Sequence, residues 1–202
     1  MIMLTRLKER VQILLTAEAK ILHKAGFTPN HISAIGVLFA FLAGSFYWAW
    51  QFDHRFLLLA PLFFLFSGIC DALDGVVARL HGRTTVFGGF LDSLLDRYAD
   101  AVILVAIITA GLADVLWGSV ALVGSLLVSY SRARAEAAGV KMEMVGLAER
   151  AERIVILIGA TFAAVFWLDA LRWSIILLAV LSNFTVFQRT AYFYKASKKE
   201  KS

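Results

Sequence analysis

The 202-residue sequence has a single cysteine, Cys70, two prolines, Pro29 and Pro61, and charge on only 17% of its residues. One cysteine excludes an internal disulfide framework, and scarce proline leaves long helices mostly uninterrupted. So little charge, against about a quarter in ordinary soluble domains, excludes a disordered chain and argues against a soluble one. What is present instead is apolar: 60% of the residues are hydrophobic and the mean hydropathy is +0.75. Several stretches reach the ~20 residues that cross a hydrocarbon core. The expected class is an all-α integral membrane protein, helical spans being favoured over a barrel. The net charge of +5 and pI of about 9.5 raise the question of nucleic acid, and the placement of the basic residues answers it in favour of the membrane.

Apolar stretches run from about His31 to Phe52, Arg55 to Leu80, Gly88 to Leu112, Val115 to Arg134, Ile154 to Trp167 and Trp173 to Tyr194. They predict six transmembrane helices, with both termini on one side. The turns Asp53-His54-Arg55, Leu112-Ala113-Asp114 and Asp169-Ala170-Leu171-Arg172 carry only Arg55 and Arg172 as basic residues. The opposite end holds Arg6, Lys8, Arg10, Lys20 and Lys24, then Arg79 and Arg83, then Arg132, Arg134, Lys141, Arg150 and Arg153, and finally Arg189, Lys195, Lys198, Lys199 and Lys201. Basic residues mark the cytoplasmic side, so a multi-pass cell-membrane protein with cytoplasmic termini is expected. Trp48, Trp50, Trp117, Trp167 and Trp173 all fall beside the poorly charged turns, as an interfacial belt should.

Residues 1–27 predict a cytoplasmic juxtamembrane amphipathic helix rather than a signal peptide: Leu4, Leu7, Val11, Leu14 and Leu15 recur at helical spacing opposite Arg6, Lys8 and Arg10. Gly26 is expected to end it, and Thr28-Pro29-Asn30 to turn the chain into the first span. The organisation expected is thus 1–27, a six-helix domain over 28–196, and a basic tail over 197–202.

Residues 70–100 put Asp71, Asp74, Asp92, Asp96 and Asp100 inside or at the edges of two apolar spans. Each costs roughly 2.5–3.5 kcal/mol at mid-bilayer, so four cost on the order of 10 kcal/mol unless compensated. Asp71 and Asp74 share one helix face, and Asp92, Asp96 and Asp100 share another. At about 1.5 Å rise per residue, Asp74 and Asp71 lie ~9 and ~13 Å inward from Leu80, and Asp92 and Asp96 ~6 and ~12 Å inward from Gly88. Four carboxylates thus reach similar depths on antiparallel helices. Crowded negative charges call for cations between them, and oxygen-only ligands select hard divalent ions, Mg²⁺ or Mn²⁺. Pairing with Arg79, Arg83 and Arg97 is the bland alternative, but it leaves two matched aspartate pairs and the small residues Gly75 and Gly88 unexplained. For Asp100, pairing with a loop arginine and a secondary site role are both open. Cys70 reads as a packed apolar residue, His81 as a loop histidine, and Gly36, Gly44, Gly118 and Gly124 as helix-packing positions.

The pattern Asp71-x-x-Asp74-Gly75-x-x-Ala78-Arg79, eight residues, Gly88-x-x-x-Asp92-x-x-x-Asp96 resembles the signature of the CDP-alcohol phosphotransferases, with every specified position filled. The resemblance implies that Asp71, Asp74, Asp92 and Asp96 hold two divalent cations and that Asp96 doubles as the catalytic base. It also implies that Gly75, Arg79 and the Thr84-Thr85 region meet the cytidine diphosphate of a CDP-lipid, with Asn30, His31 and Ser33 of the Pro29–Ser33 turn as further nucleotide contacts, and that the chain pairs as a homodimer.

Arginines cluster at the same end: Arg132 and Arg134 in SRARAE, Arg150 and Arg153 in GLAERAER, and Arg189 within the last span. Arginine suits bidentate phosphate recognition, so the alcohol acceptor is expected to carry a phosphate. Positive-inside anchoring is the plainer reading, weakest for Arg189, which lies well within an apolar span. The two segments resemble those of phosphatidylinositol phosphate synthases and their archaeal ether-lipid counterparts, which implies inositol 1-phosphate as acceptor and CMP as the leaving product. Two other readings are a phosphatidylglycerophosphate synthase acting on glycerol 3-phosphate and a divalent-cation transporter. Transport predicts acidic residues spread through the bilayer, whereas here they gather at the cytoplasmic end, with only Asp53, Asp114 and Asp169 at the outer turns.

Overall fold

A computed structural model describes residues 16–80, 85–142 and 145–199. Helix α1 runs over 16–24. It is followed by α2 (Pro29–Ala49), α3 (Phe56–Leu80), α4 (Val86–Thr109), α5 (Val115–Ala137), α6 (Arg150–Ala164) and α7 (Asp169–Lys199). No strand occurs among the described residues.

Local chemistry sets the helix ends. Gly26, at φ +87°, ends α1 in a left-handed turn closed by Phe27 N–H on the Leu22 carbonyl, as expected from the sequence. Thr28 caps α2, accepting from His31 N–H, with Pro29 at the first helical position where its missing N–H costs nothing. Thr85 caps α4 through Gly88 N–H at 2.9 Å, and Asp114 caps α5 through Leu116 and Trp117 N–H.

α2 is the wedge of the bundle. Its buried face, Ile32, Ser33, Gly36, Ala40, Ala43, Gly44 and Tyr47, follows helical periodicity and is mostly small. At Gly36 an added Cβ would lie 3.0 Å from Cys70 Cβ on α3, and at Gly44 3.1 Å from Val102 Cγ1 on α4. The absent side chains therefore let α2 press against both helices. α3 and α4 barely touch each other, being held apart by α2 rather than packed as immediate neighbours. The other close pairs are α5 with α7 and α6 with α3 and α7, around a core that includes Leu57, Phe64, Ile103, Ile107, Leu171, Ile175 and Leu178.

The three short turns share one end: Trp50 Nε1 donates to Ala110 O at 2.9 Å and His54 Nε2 to Val165 O at 3.0 Å. Several expected boundaries move, those of α6 and α7 furthest. α6 begins at Arg150 rather than Ile154, because the charged turn Arg150–Arg153 is stabilised by aspartates of α3 and α4. α7 begins at Asp169, so Asp169–Arg172 is a first helical turn, closed by an Arg172–Asp169 pair at 2.9 Å. Four helices, α2, α3, α5 and α7, are long and apolar enough to cross a membrane. α4 carries Asp92, Asp96, Arg97 and Asp100, and the 15 residues of α6 extend only about 22 Å. The expected amphipathic contacts of Leu4, Leu7, Val11, Leu14 and Leu15, the loop residues His81, Arg83 and Thr84, and the tail beyond Lys199 lie outside the described residues. α1 itself docks inward, with the fully buried Ala19 against Ile32, Leu73, Val76 and Val77.

At Gly124 an added Cβ would meet Asn183 Nδ2 at 2.6 Å and Ser182 Cβ at 3.0 Å. Gly124→Val should force α5 from α7 and cost about 1–3 kcal/mol, read as a lowered melting temperature in detergent; an unchanged melt would mean that this contact does not hold the pair together.

Candidate active site

The gap between α3 and α4 is lined by carboxylates. One oxygen each from Asp71, Asp74 and Asp92 lie within 4.8 Å of one another. Asp74, only 4% exposed, accepts a hydrogen bond from Ser33 Oγ at 2.5 Å, which ties the wedge helix to the cluster. Asp96, one turn further along α4, stands outside that trio. It lies 2.8 Å from Arg150 Nη1 and 3.6 Å from Arg97 Nη1. The chemistry of the trio fits a hard divalent cation: three carboxylate oxygens and no sulfur or imidazole converge in a half-buried place, and their mutual repulsion is relieved only by positive charge.

A cleft opens beside the cluster, lined by Asn30, Ser33, Asp74, Gly75, Thr85, Gly88, Gly89 and Asp92. Of the six expected nucleotide contacts, Asn30, Ser33, Gly75 and Thr85 are thus brought together. Arg79 reaches the same region, its Nη1 3.3 Å from where a Cβ on Gly75 would stand. His31 is exposed and meets the α2 cap through its backbone N–H, but it is not among the cleft-lining residues. A smaller cavity behind the cleft shares Ser33, Asp74 and Asp92 with it and continues to Asp71, Asp96 and Arg150.

The five arginines do not act as one group. Arg153 is 3% exposed and donates to Ala148 O and Asp100 Oδ2, and Arg150 pairs with Asp71, Asp96 and Asp100. Asp100 is therefore the partner of two α6 arginines. Arg189 is 2% exposed, donating from Nε to Val145 O at 2.8 Å and from Nη1 to Val128 O at 2.5 Å, with Glu149 3.5 Å from Nη2. Thr185, one turn earlier, accepts from Leu147 and Ala148 N–H. These bonds staple the backbone 145–149 to α7 and so fix where α6 starts and where Arg150 points. Arg132 pairs with Glu136 at 2.8 Å. Arg134 is exposed and, with Ser131, Arg189, Thr190, Met142 and Phe193, lines a second cavity, open on one side.

Sequence reasoning missed Arg150 as a neighbour of the metal-type carboxylates, along with Ser131 and Thr190. For Arg150 a signal existed in the four buried-span aspartates, which needed cations that Arg79 and Arg97 alone do not supply.

Residues 27–187 match the family model for CDP-alcohol phosphatidyltransferases. The chain belongs to that family. It is 39% identical to archaetidylinositol phosphate synthase of Pyrococcus horikoshii, over 98% of this chain and 98% of that one. It is 46% identical to the protein of the same name from Methanothermobacter thermautotrophicus, over 65% of this chain and 68% of that one. Among solved structures it is similar to Mycobacterium tuberculosis phosphatidylinositol phosphate synthase with CDP-DAG bound, at a TM-score of 0.76 and 30% identity, covering 89% of this chain and 93% of that one. The same enzyme in complex with manganese and citrate also matches at a TM-score of 0.76. The chain is therefore a phospholipid headgroup transferase of the membrane, and its Asp71, Asp74 and Asp92 carboxylates are grouped closely enough to hold a metal ion.

Asp92→Asn should weaken Mn²⁺ binding at least about tenfold, followed by electron paramagnetic resonance. Without metal it should leave the melting temperature unchanged or higher, because a repulsive charge is gone; Mn²⁺ binding equal to wild type would remove Asp92 from the ligand set.

Proposed function

We propose that the chain transfers the lipid-bearing phosphate of a CDP-lipid to a hydroxyl of inositol 1-phosphate, releasing CMP and forming a phosphoinositol-phosphate lipid. The observation that carries this is the sharing of Asp74 and Asp92 between the cleft of Asn30, Gly75 and Thr85 and the cavity of Asp71, Asp96 and Arg150. A diphosphate lying in the cleft would present its phosphates to the carboxylates, and the acceptor would approach from the Asp96 side. The names of the relatives, archaetidylinositol phosphate synthase and phosphatidylinositol phosphate synthase, support the acceptor.

In this reading Asp71, Asp74, Asp92 and Asp96 hold two divalent cations, Mg²⁺ or Mn²⁺, which when bound neutralise the diphosphate and stabilise charge on attacking and leaving oxygens. Asn30, His31, Ser33, Gly75, Arg79 and Thr85 bind the nucleotide end; Gly75 and Gly88 leave room for phosphate against the backbone. The acceptor oxygen attacks the phosphorus that carries the lipid. Its proton passes to an Asp96 oxygen, the bond from that phosphorus to the bridging oxygen breaks, and CMP leaves with that oxygen. The acceptor phosphate is met by Arg134 and Arg189 with the hydroxyls of Ser131 and Thr190, while Arg132, Arg150 and Arg153 supply the surrounding positive charge.

The membrane arrangement is part of the proposal. Six helices, α2–α7, cross the bilayer within a domain over 28–196, flanked by the interfacial segment 1–27 and the tail 197–202. Both termini and the site face the cytoplasm, and two copies pair. The lipid tails then remain in the bilayer while the polar acceptor enters from water.

Purified protein given CDP-lipid and Mg²⁺ should release CMP with inositol 1-phosphate but not with free inositol or serine. Asp96→Asn should slow release by about 100-fold or more, the usual worth of a positioned base. Release with glycerol 3-phosphate in place of inositol 1-phosphate would overturn the acceptor assignment. For the topology, a cysteine placed at Asp53 in a Cys70→Ala background should react with an impermeant thiol reagent added outside intact cells and one placed at Ser197 should not; the reverse pattern would invert the orientation.

A further inference from the structure

Arg150 differs from the other arginines at this end of the bundle. Its Nη1 lies 2.6 Å from Asp71 Oδ2 on α3 and 2.8 Å from Asp96 Oδ1 on α4, while its Nε donates to Asp100 Oδ1 at 3.2 Å. A single nitrogen thus bridges one oxygen from each of two helices that barely touch, which is the place a divalent cation shared by the two would take. Nη1 is buried, yet neither carboxylate meets it along a well-aligned N–H direction, so charge rather than directed hydrogen bonding holds it there. The contact with Asp100 is different in kind. Asp100 is itself anchored by Arg153 Nη2 at 2.8 Å, and Arg153 by the Ala148 carbonyl at 3.0 Å.

We propose that Arg150 is a built-in counter-cation, occupying the Asp71–Asp96 half of the carboxylate cluster and displaced from it by the second divalent cation. This rests on the reading in which the four aspartates hold two such ions. The guanidinium and a divalent ion cannot share the same pair of oxygens, because like charges at such a separation in a buried place repel strongly. The first ion has its own ligands in the Asp71, Asp74 and Asp92 trio, in which Asp96 has no part. The second needs Asp96, and there it meets Arg150. Because Nε stays on the anchored Asp100, the guanidinium turns about that contact rather than leaving the site. Its Nη1 is then open to an anion. The metal-free cluster is thereby kept from springing apart, and the guanidinium is freed only once the metals are loaded.

The test is a Mn²⁺ titration followed by electron paramagnetic resonance on the wild type, Arg150→Gln and Arg150→Lys, with melting curves in EDTA. Arg150→Gln should bind the second Mn²⁺ about tenfold or more tightly than wild type, within the usual range for two coupled ligands. It should also melt lower than wild type in EDTA and regain the difference with Mn²⁺, whereas Arg150→Lys should stay close to wild type in both. Should the Gln variant fail to fold, phenylglyoxal modification of the wild type, read by mass spectrometry, replaces it: Arg150 should react several-fold faster in Mn²⁺ than in EDTA. Two Mn²⁺ sites whose affinity is unchanged or weakened in Arg150→Gln, or equal Arg150 reactivity in both conditions, would overturn the displacement alone. A wild-type chain that takes up a single Mn²⁺, lost in Asp92→Asn, would overturn the two-cation reading and the displacement with it.

Discussion

The mutual repulsion of carboxylates inside an apolar bundle is the constraint around which the rest of this molecule is arranged. Asp71, Asp74 and Asp92 bring oxygens within 4.8 Å of one another, and Asp96 and Asp100 extend the same charge along α4. Left uncompensated, such a cluster would drive α3 and α4 apart. Three features answer it. α2, with Gly36 against α3 and Gly44 against α4, clamps both helices without letting them close on each other. Ser33 Oγ hydrogen-bonds Asp74 at the most buried point, and the first turn of α6 brings Arg150 and Arg153 to the remaining oxygens.

The gap kept open in this way has two unlike walls. Toward the start of α4 it widens into a cleft whose lining is small: Gly75, Ala78, Gly88 and Gly89, with Thr85 and Asn30 for polar contact. Beside it Val86, Phe87 and Phe90 are exposed, as a face turned to lipid tails can be. Toward α6 the gap becomes narrow and charged. A substrate with an apolar body, a diphosphate and a nucleotide matches the first wall, and a small anionic acceptor matches the second. The family membership and this asymmetry agree on a transferase, whereas a transport path would need acidic residues continuing toward the turns of Asp53, Asp114 and Asp169.

How much of this was legible in the sequence differs by kind of feature. The helices were, because apolar runs bounded by glycine, by Thr-Pro and by aspartate caps depend on local chemistry alone: Gly26, Thr28 and Thr85 all act where their residue types say they should. The convergence of Asp71 and Asp74 with Asp92 was also legible, since helix spacing fixes which face each occupies. The separation of α3 from α4 was not, because it depends on where the glycines of α2 fall against other helices. The arginines were the least legible. Composition showed five of them gathering at one end, but which meet carboxylates, which meet carbonyls and which line a cavity is decided by backbone placement between Val145 and Arg150, a segment with no periodic signal.

That placement explains why Arg189, deep in α7, matters beyond its own contacts. Its Nε on Val145 O and its Nη1 on Val128 O join the segment after α5 to the middle of α5 itself, while Thr185 holds Leu147 and Ala148 from the same face of α7 one turn away. Glu149, beside Arg189 Nη2, is the residue immediately before Arg150. One ion pair and one peptide bond therefore link the arginine that bounds the second cavity to the arginine that lies among the aspartates. A shift of Arg189 toward an anion would pull on the segment 145–149 and hence on the turn that carries Arg150 and Arg153. Both arginines are therefore positioned by the same short stretch of backbone, residues 145–149.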